Sequence, residues 1–200
     1  RADRVPDALR ECAEKGVPAV HVMSSGFSEA GTDEGRRLEA EIEAIAGEAG
    51  TAVIGPNCMG LYVPRSGLSF FPQLTREPGT AGIISHSGSL ANILCRIAPQ
   101  RGIRFSKAIS LGNECDLTSA DFLLYLGHDD ETRLIGAYIE GVKDGPRFFE
   151  ALRTASLQKP VIVWKVGLTS AGAEAAASHT GALAGARDVW EGIVEQTGAI

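Results

Sequence analysis

Short apolar runs of strand length alternate with amphipathic stretches of helical length along this 200-residue chain. That alternation limits the chain to few folds. The apolar runs lie at 18–23, 52–54, 81–85, 105–111, 134–139 and 160–166. Between and around them, residues 5–15, 34–48, 90–100, 119–126, 146–156 and 186–196 repeat their apolar positions every three or four residues. The first of these has Val5, Ala8, Leu9 and Cys12 on one face, and Gly16 ends it. The second has Leu38, Ile42 and Ile45, and Gly50 stops it. Strand and helix in strict alternation predict an α/β protein with a parallel sheet covered by helices.

The alternation falls into two parts. Residues 1–60 read helix, strand, helix, strand. Two strands make too small a sheet to stand alone, and no glycine-rich phosphate-binding turn precedes them. This part is expected to be the C-terminal half of a Rossmann-like domain, in a chain that is a piece of something longer. Residues 62–79 carry Pro64, Gly67, Pro72, Pro78 and Gly79 and read as irregular. The expected division is therefore 1–77 and 78–200. The second part holds four βα units, which predicts a flavodoxin-like doubly wound parallel sheet. Ligands of such sheets bind beyond the carboxyl ends of the strands. Three polar stretches fall there, at 85–89, 112–116 and 140–145, together with the loop that leaves the last strand.

Composition excludes several classes. A net charge of −6 gives no support to a nucleic-acid surface. Every apolar run is broken by a charge, glycine or proline before reaching membrane-spanning length. Cys12, Cys58, Cys95 and Cys115 form no close metal or redox pair, so they read as reduced thiols of a cytoplasmic protein. No metal-ligand set is apparent.

The stretch Ala175-Ala176-Ala177-Ser178-His179-Thr180-Gly181-Ala182-Leu183-Ala184-Gly185 is unsuited to a packed core, because small residues bury little area and glycines weaken helices. It exposes one imidazole on a backbone that another molecule can approach. By itself it reads first as a loop histidine bonding a neighbour. The sharper hypothesis is that His179 is a nucleophile carrying a phosphoryl group. Ser85-His86-Ser87-Gly88-Ser89 joins a strand to a helix and gathers free N–H groups at the positive helix end. Ser87, Gly88 and Ser89 thus suit an anion, although simple N-capping explains them as well. Glu140 ends an apolar strand where folding needs no carboxylate. It could accept an imidazole N–H and so fix its tautomer, or equally face water. Asn57 and Cys58, in Gly55-Pro56-Asn57-Cys58, form a turn able to hold a polar substrate or thioester carbonyl. No base adjoins Cys58 in the sequence, so it reads as a small buried hydrophobe. His21 and His128 read as structural or solvated. His86 lies close enough to the anion site to touch a ligand.

Taken in order, Gly55-Pro56-Asn57-Cys58-Met59-Gly60, Ile84 to Ser89, Ser110-Leu111-Gly112-Asn113, Tyr138-Ile139-Glu140-Gly141 and Ser178 to Gly185 resemble the NDP-forming acyl-CoA synthetases (acetate–CoA ligase, ADP-forming), relatives of the succinyl-CoA synthetase alpha subunit. The resemblance spans essentially the whole chain. It implies an acid–thiol ligase made of a CoA-binding Rossmann domain, flavodoxin-like domains and an ATP-grasp domain. The ATP-grasp part, on the same or another chain, binds ADP or ATP with Mg²⁺. By resemblance, His179 matches the phosphorylated histidine and Glu140 the carboxylate that orients it. Ser87, Gly88 and Ser89 match the phosphate-receiving helix end, Asn57 and Cys58 the turn near the CoA thiol and acyl group, and Ser24, Ser25 and Gly26 part of the CoA half. The implied reaction has phosphate attack an acyl-CoA to give acyl phosphate and CoA. His179 then takes the phosphoryl group and frees the carboxylic acid, and the phosphohistidine passes it to ADP. An oligomer is expected, and charge and hydropathy leave no nucleic-acid or membrane partner. A second reading is a CoA- or nucleotide-sensing module of a protein acetyltransferase. Retention of both His179 and Glu140 argues against it. A third, a receiver domain phosphorylated on aspartate, lacks an acidic cluster after the first strand.

Overall fold

The computed structural model describes residues 1–69, 71–168 and 187–200. Two parallel strands, β1 (Ala19–His21) and β2 (Ala52–Ile54), form a small sheet. Helices α1 (Val5–Glu14) and α2 (Asp33–Ala49) cover it. Their apolar stripes supply Leu9, Leu38, Ile42 and Ala46 to a core shared with Val22, Phe27 and Val53. Thr32 caps α2 by accepting the Gly35 N–H, and Gly50 closes it in the left-handed conformation.

The second sheet has six strands in the described residues: β3 (Leu61–Val63), β4 (Leu68–Ser69), β5 (Ala81–Ser85), β6 (Phe105–Ser110), β7 (Leu134–Ile139) and β8 (Val161–Lys165). Their order is β4-β3-β6-β5-β7-β8. The four parallel strands run 2-1-3-4 in chain order, which is the flavodoxin-like arrangement expected. The segment read as irregular contributes β3 and β4. They add an antiparallel hairpin to the β6 edge and so tie the linker to the second sheet. Pro64 and Gly67 make its turn and do not break it.

Successive side chains of a strand face opposite ways, and β5 uses this. Ile83 packs with Cys95 of α3 (Gly88–Ile97), Phe105 and Ala108 on one face. Ile84 packs on the other face with α4 (Ser119–His128), α5 (Gly145–Gln158) and α6 (Arg187–Thr197), through Leu123, Leu126, Leu152 and Trp190. Helices on both faces make the sheet doubly wound. At its switch point, β5 lies between β6 and β7, and the loops after these strands diverge.

The two sheets are joined by the loop after β6. Cys115 N donates to Gly55 O (3.0 Å), Leu117 N donates to Val53 O (3.1 Å), and Val53 N donates to Asp116 Oδ2 (2.7 Å). Cys115 is buried in the core of the small sheet. The loop therefore belongs to the large sheet by sequence and to the small one by packing.

Candidate active site

A cleft of about 810 Å³ opens between the carboxyl ends of the two sheets, a volume typical of ligand sites. It draws Ser25, Asn57 and Cys58 from the small sheet, and Ser87, Gly88, Ser89 and Glu140 from the large one. Seven of the candidates read from sequence thus face one space. Ser24 and Gly26 support it from behind. Ser24 O accepts the Asn57 N–H (2.9 Å), and Gly26 N donates to Glu29 (2.6 Å). His179 and the rest of 175–185 lie outside the described residues.

The close approach of the two walls requires glycine at two points. A Cβ on Gly112 would stand 1.9 Å from Pro56 O, and its φ of +62° already favours glycine. A Cβ on Gly88 would stand 1.9 Å from Met59 Cγ. Asn57 itself has a φ of +57°, a conformation that asparagine tolerates better than most residues.

On the small-sheet wall the polar groups are closed on one another. Asn113 reaches across from the large sheet, and its amide donates to Glu29 Oε2 (2.6 Å) and Glu39 Oε2 (2.7 Å). The Ser28 hydroxyl and N–H also donate to Glu39. Lys143 bridges the walls, its Nζ 3.6 Å from Glu39 Oε1 and donating to Glu114 O (3.1 Å). Cys58 is buried, and burial pushes its thiol up to about 11, so it is protonated at neutral pH. Its Sγ donates to Val22 O (3.3 Å) and lies 2.9 Å from His21 Nε2. The histidine read as structural is thus the neighbour that Cys58 lacked in sequence. Burial lowers the His21 pKa, which keeps the ring neutral. Parallel pairing of His21 with Ile54 brings the two together, and no local sequence signal announces it.

The large-sheet wall is built at three strand ends. Ser87 caps α3 by accepting the Leu90 N–H (3.3 Å), while Ser85 Oγ donates to Ser87 O (2.7 Å). Helix geometry leaves the first N–H groups, at Gly88 and Ser89, without intrahelical acceptors at the positive end of the dipole. Glu140 is mostly buried and lines the cleft, and among the described residues its carboxylate has no hydrogen-bond partner. His86 Nδ1 accepts the Glu140 N–H (3.1 Å), which places the ring proton on Nε2. Nε2 lies 3.2 Å from Glu114 Oε1, at an angle short of a hydrogen bond. Glu114 also accepts the Ser119 N–H at the start of α4. Glu29, Glu114 and Lys143 line the cleft without having been singled out from sequence. Glu29 sits in a short 3-10 helix, Ser28–Ala30, while Glu114 and Lys143 belong to the polar stretches at 112–116 and 140–145. Among the described residues no group of three or more His, Cys, Asp or Glu is disposed to hold a metal ion.

Residues 78–200 match the family model described as a succinyl-CoA ligase like flavodoxin domain. The chain belongs to that family. Residues 1–64 match a CoA binding domain. Acetate–CoA ligase [ADP-forming] I of Archaeoglobus fulgidus is 39% identical over 200 residues, the alignment covering all of this chain and 29% of that protein. Acetate–CoA ligase [ADP-forming] II subunit alpha of Pyrococcus furiosus is 41% identical, over 98% of this chain and 43% of that one. The chain thus spans less than half the length of either relative. The structure of Ca. Korarchaeum cryptofilum dinucleotide forming acetyl-coenzyme A synthetase 1, in complex with phosphate and ADP, superposes with a TM-score of 0.91 and 34% identity. It covers all of this chain and 43% of that one. These matches agree with the family and fold expected from the motifs. Among the described residues no helix is long and apolar enough to cross a membrane.

Proposed function

We propose that this chain is the CoA-side and phosphoryl-carrying part of an NDP-forming acyl-CoA synthetase. It works with an ATP-grasp domain or subunit that binds ADP or ATP and Mg²⁺. The observation that carries this reading is the shared cleft. Asn57 and Cys58, the start of α3 and Glu140 all line it. A thioester held at the first wall has its carbonyl carbon open to phosphate held by the Gly88 and Ser89 N–H groups. Phosphate oxygen bonds to that carbon, the C–S bond breaks, and the thiolate of CoA leaves and takes a proton. The products are an acyl phosphate and CoA. A nitrogen of His179 then attacks phosphorus, the P–O bond to the acyl group breaks, and a carboxylate departs. Glu140 accepts the N–H of the other ring nitrogen, which holds the tautomer and stabilises the cation that develops. The helix end stabilises the dianionic phosphohistidine. Passage of the phosphoryl group to ADP completes the cycle, and every step is reversible.

Glu140 supports this reading, since it lines the cleft and among the described residues its carboxylate has no hydrogen-bond partner, which leaves it open to an imidazole N–H. The thiol of Cys58, protonated and donating to Val22 O, serves as a wall and not as a nucleophile. The four unpaired thiols fit a cytoplasmic enzyme. The test is mass spectrometry of the full-length protein, with its ATP-grasp part, after incubation with Mg-ATP. Acid-labile phosphate on His179, discharged by a carboxylic acid plus CoA, is the expected result. An unmodified His179 in a protein that binds ATP would favour the sensing module.

A further inference from the structure

The peptide unit of Glu140 is held from both sides by side chains. Its N–H donates to His86 Nδ1 (3.1 Å), and its C=O accepts from Lys165 Nζ (2.9 Å). His86 follows β5 and Lys165 ends β8, and these strands flank β7, whose end carries Glu140. The backbone ladder still reaches Tyr138 O, which accepts from His86 N (3.2 Å), and Ile139 O, which accepts from Val166 N (3.2 Å). One residue further on, side chains take over from it.

An ammonium brought out of water at a sheet end carries a desolvation cost. Burial accordingly lowers the Lys165 pKa, against the opposing pull of Glu140. Lys165 lies 5.3 Å from the Trp190 ring centroid and also donates to Val166 O. An aliphatic side chain would pack against that indole without the cost, but it would release the Glu140 carbonyl. On the other flank, the His86 side chain is 9% exposed, so its ring is held by burial, with Nε2 3.2 Å from Glu114 Oε1. A strand-end carboxylate that only faced solvent would gain nothing from this support.

We propose that His86 and Lys165 are positioning residues, which together fix the direction of the Glu140 carboxylate into the cleft. The inference rests on the reading of Glu140 as the group that orients the phosphoryl-accepting imidazole. The experiment measures the rate of acid-labile phosphorylation of His179 in the full-length protein, with its ATP-grasp part, for Lys165→Met, Lys165→Arg, His86→Leu and His86→Gln. Each is also made in the Glu140→Gln background. Loss of the hydrogen bond behind a metal ligand typically costs about 10–100-fold, and the same scale is expected for a carboxylate held in this way. The expected result is a fall of that order for Lys165→Met and His86→Leu, with the KM for ATP within about twofold of the parent. Arginine keeps a donor to the Glu140 carbonyl, and the glutamine oxygen keeps an acceptor for its N–H, so both should recover most of the rate. In the Glu140→Gln background the same substitutions should add less than about twofold, because residues acting through one group are non-additive. Full additivity there, or unchanged rates in the single variants, overturns the proposal. If one leucine or methionine variant fails to fold, the arginine and glutamine variants and the other flank still decide it. If the parent protein never acquires phosphate on His179, the reading of the reaction fails instead, and the positioning role fails with it.

Discussion

The two walls of the cleft are built from the same kinds of residue and treat them in opposite ways. On the small-sheet side, Asn113 spends its amide on two carboxylates, Ser28 on Glu39, and Cys58 on a carbonyl. Every group named there has an internal partner. On the large-sheet side, Glu140 lines the cleft with no hydrogen-bond partner for its carboxylate among the described residues, and α3 begins with N–H groups that no turn of helix can satisfy. A wall whose hydrogen bonds are complete can shape a site and hold it still. A wall with open valences can respond to a charge that develops during a reaction. Under the proposed function, the contrast gives shape to one side and chemistry to the other.

Replacement of the chemical side should therefore have the largest effect. His179→Asn should abolish phosphorylation with the fold retained, and Glu140→Gln should slow it by about 100-fold or more, both read as acid-labile phosphate with circular dichroism as the control. A Glu140→Gln protein that phosphorylates at the parental rate would remove that residue from the mechanism and erase the contrast. Next comes the seam between the walls. Gly112→Ala sets a methyl against Pro56 O and should lower stability by roughly 3 kcal/mol in denaturant unfolding. A neutral result would mean that the walls can part freely.

Asn113→Asp sharpens the comparison from the other side. It replaces the donor between Glu29 and Glu39 with a third acid and should cost about 3 kcal/mol near pH 7. The loss should shrink on acidification, as seen by unfolding across pH. The phosphorylation rate of the surviving folded protein should change far less than in Glu140→Gln. Equal losses of rate would show that the small-sheet wall also takes part in the chemistry.

A smaller effect concerns pH. Burial raises the thiols of Cys58, Cys95 and Cys115 from an ordinary 9.0 to about 11, 12 and 12. Above pH 9 the unfolded chain ionises first, so stability present below pH 9 should be lost progressively toward pH 11–12. His21 has the opposite sign. Its folded pKa lies below 6.5, so the unfolded chain takes up the proton first as pH falls below 6.5, and stability declines there. Thermal unfolding should show a plateau between roughly 6.5 and 9. Cys58→Ala should flatten part of the alkaline limb and change the phosphorylation rate least of all the variants.

Much of this could be read from the chain alone. The order of strands and helices followed from the period of the apolar residues, because a strand must bury alternate positions and a helix one stripe. Ser87 at a strand-to-helix turn, and Glu140 after Ile139, were legible as candidates for the cleft for a related reason. Polar groups at the carboxyl end of an apolar strand have a known place in a parallel sheet.

What remained hidden depended on contacts between distant segments. The strands at 61–63 and 68–69 are too short to show a period, and only their pairing with β6 makes them strands. The 112–117 loop carries no mark that it will lie along β2. His21 and Cys58 are unrelated in sequence until β1 and β2 pair in register. Local periodicity is a property of a segment and its solvent, so the sequence by itself determined the element order, the fold class and the candidate chemical groups. Partnership is a property of two segments brought together. Tertiary structure alone decided which polar groups are satisfied, which are left open, and how the backbone that carries Glu140 is held.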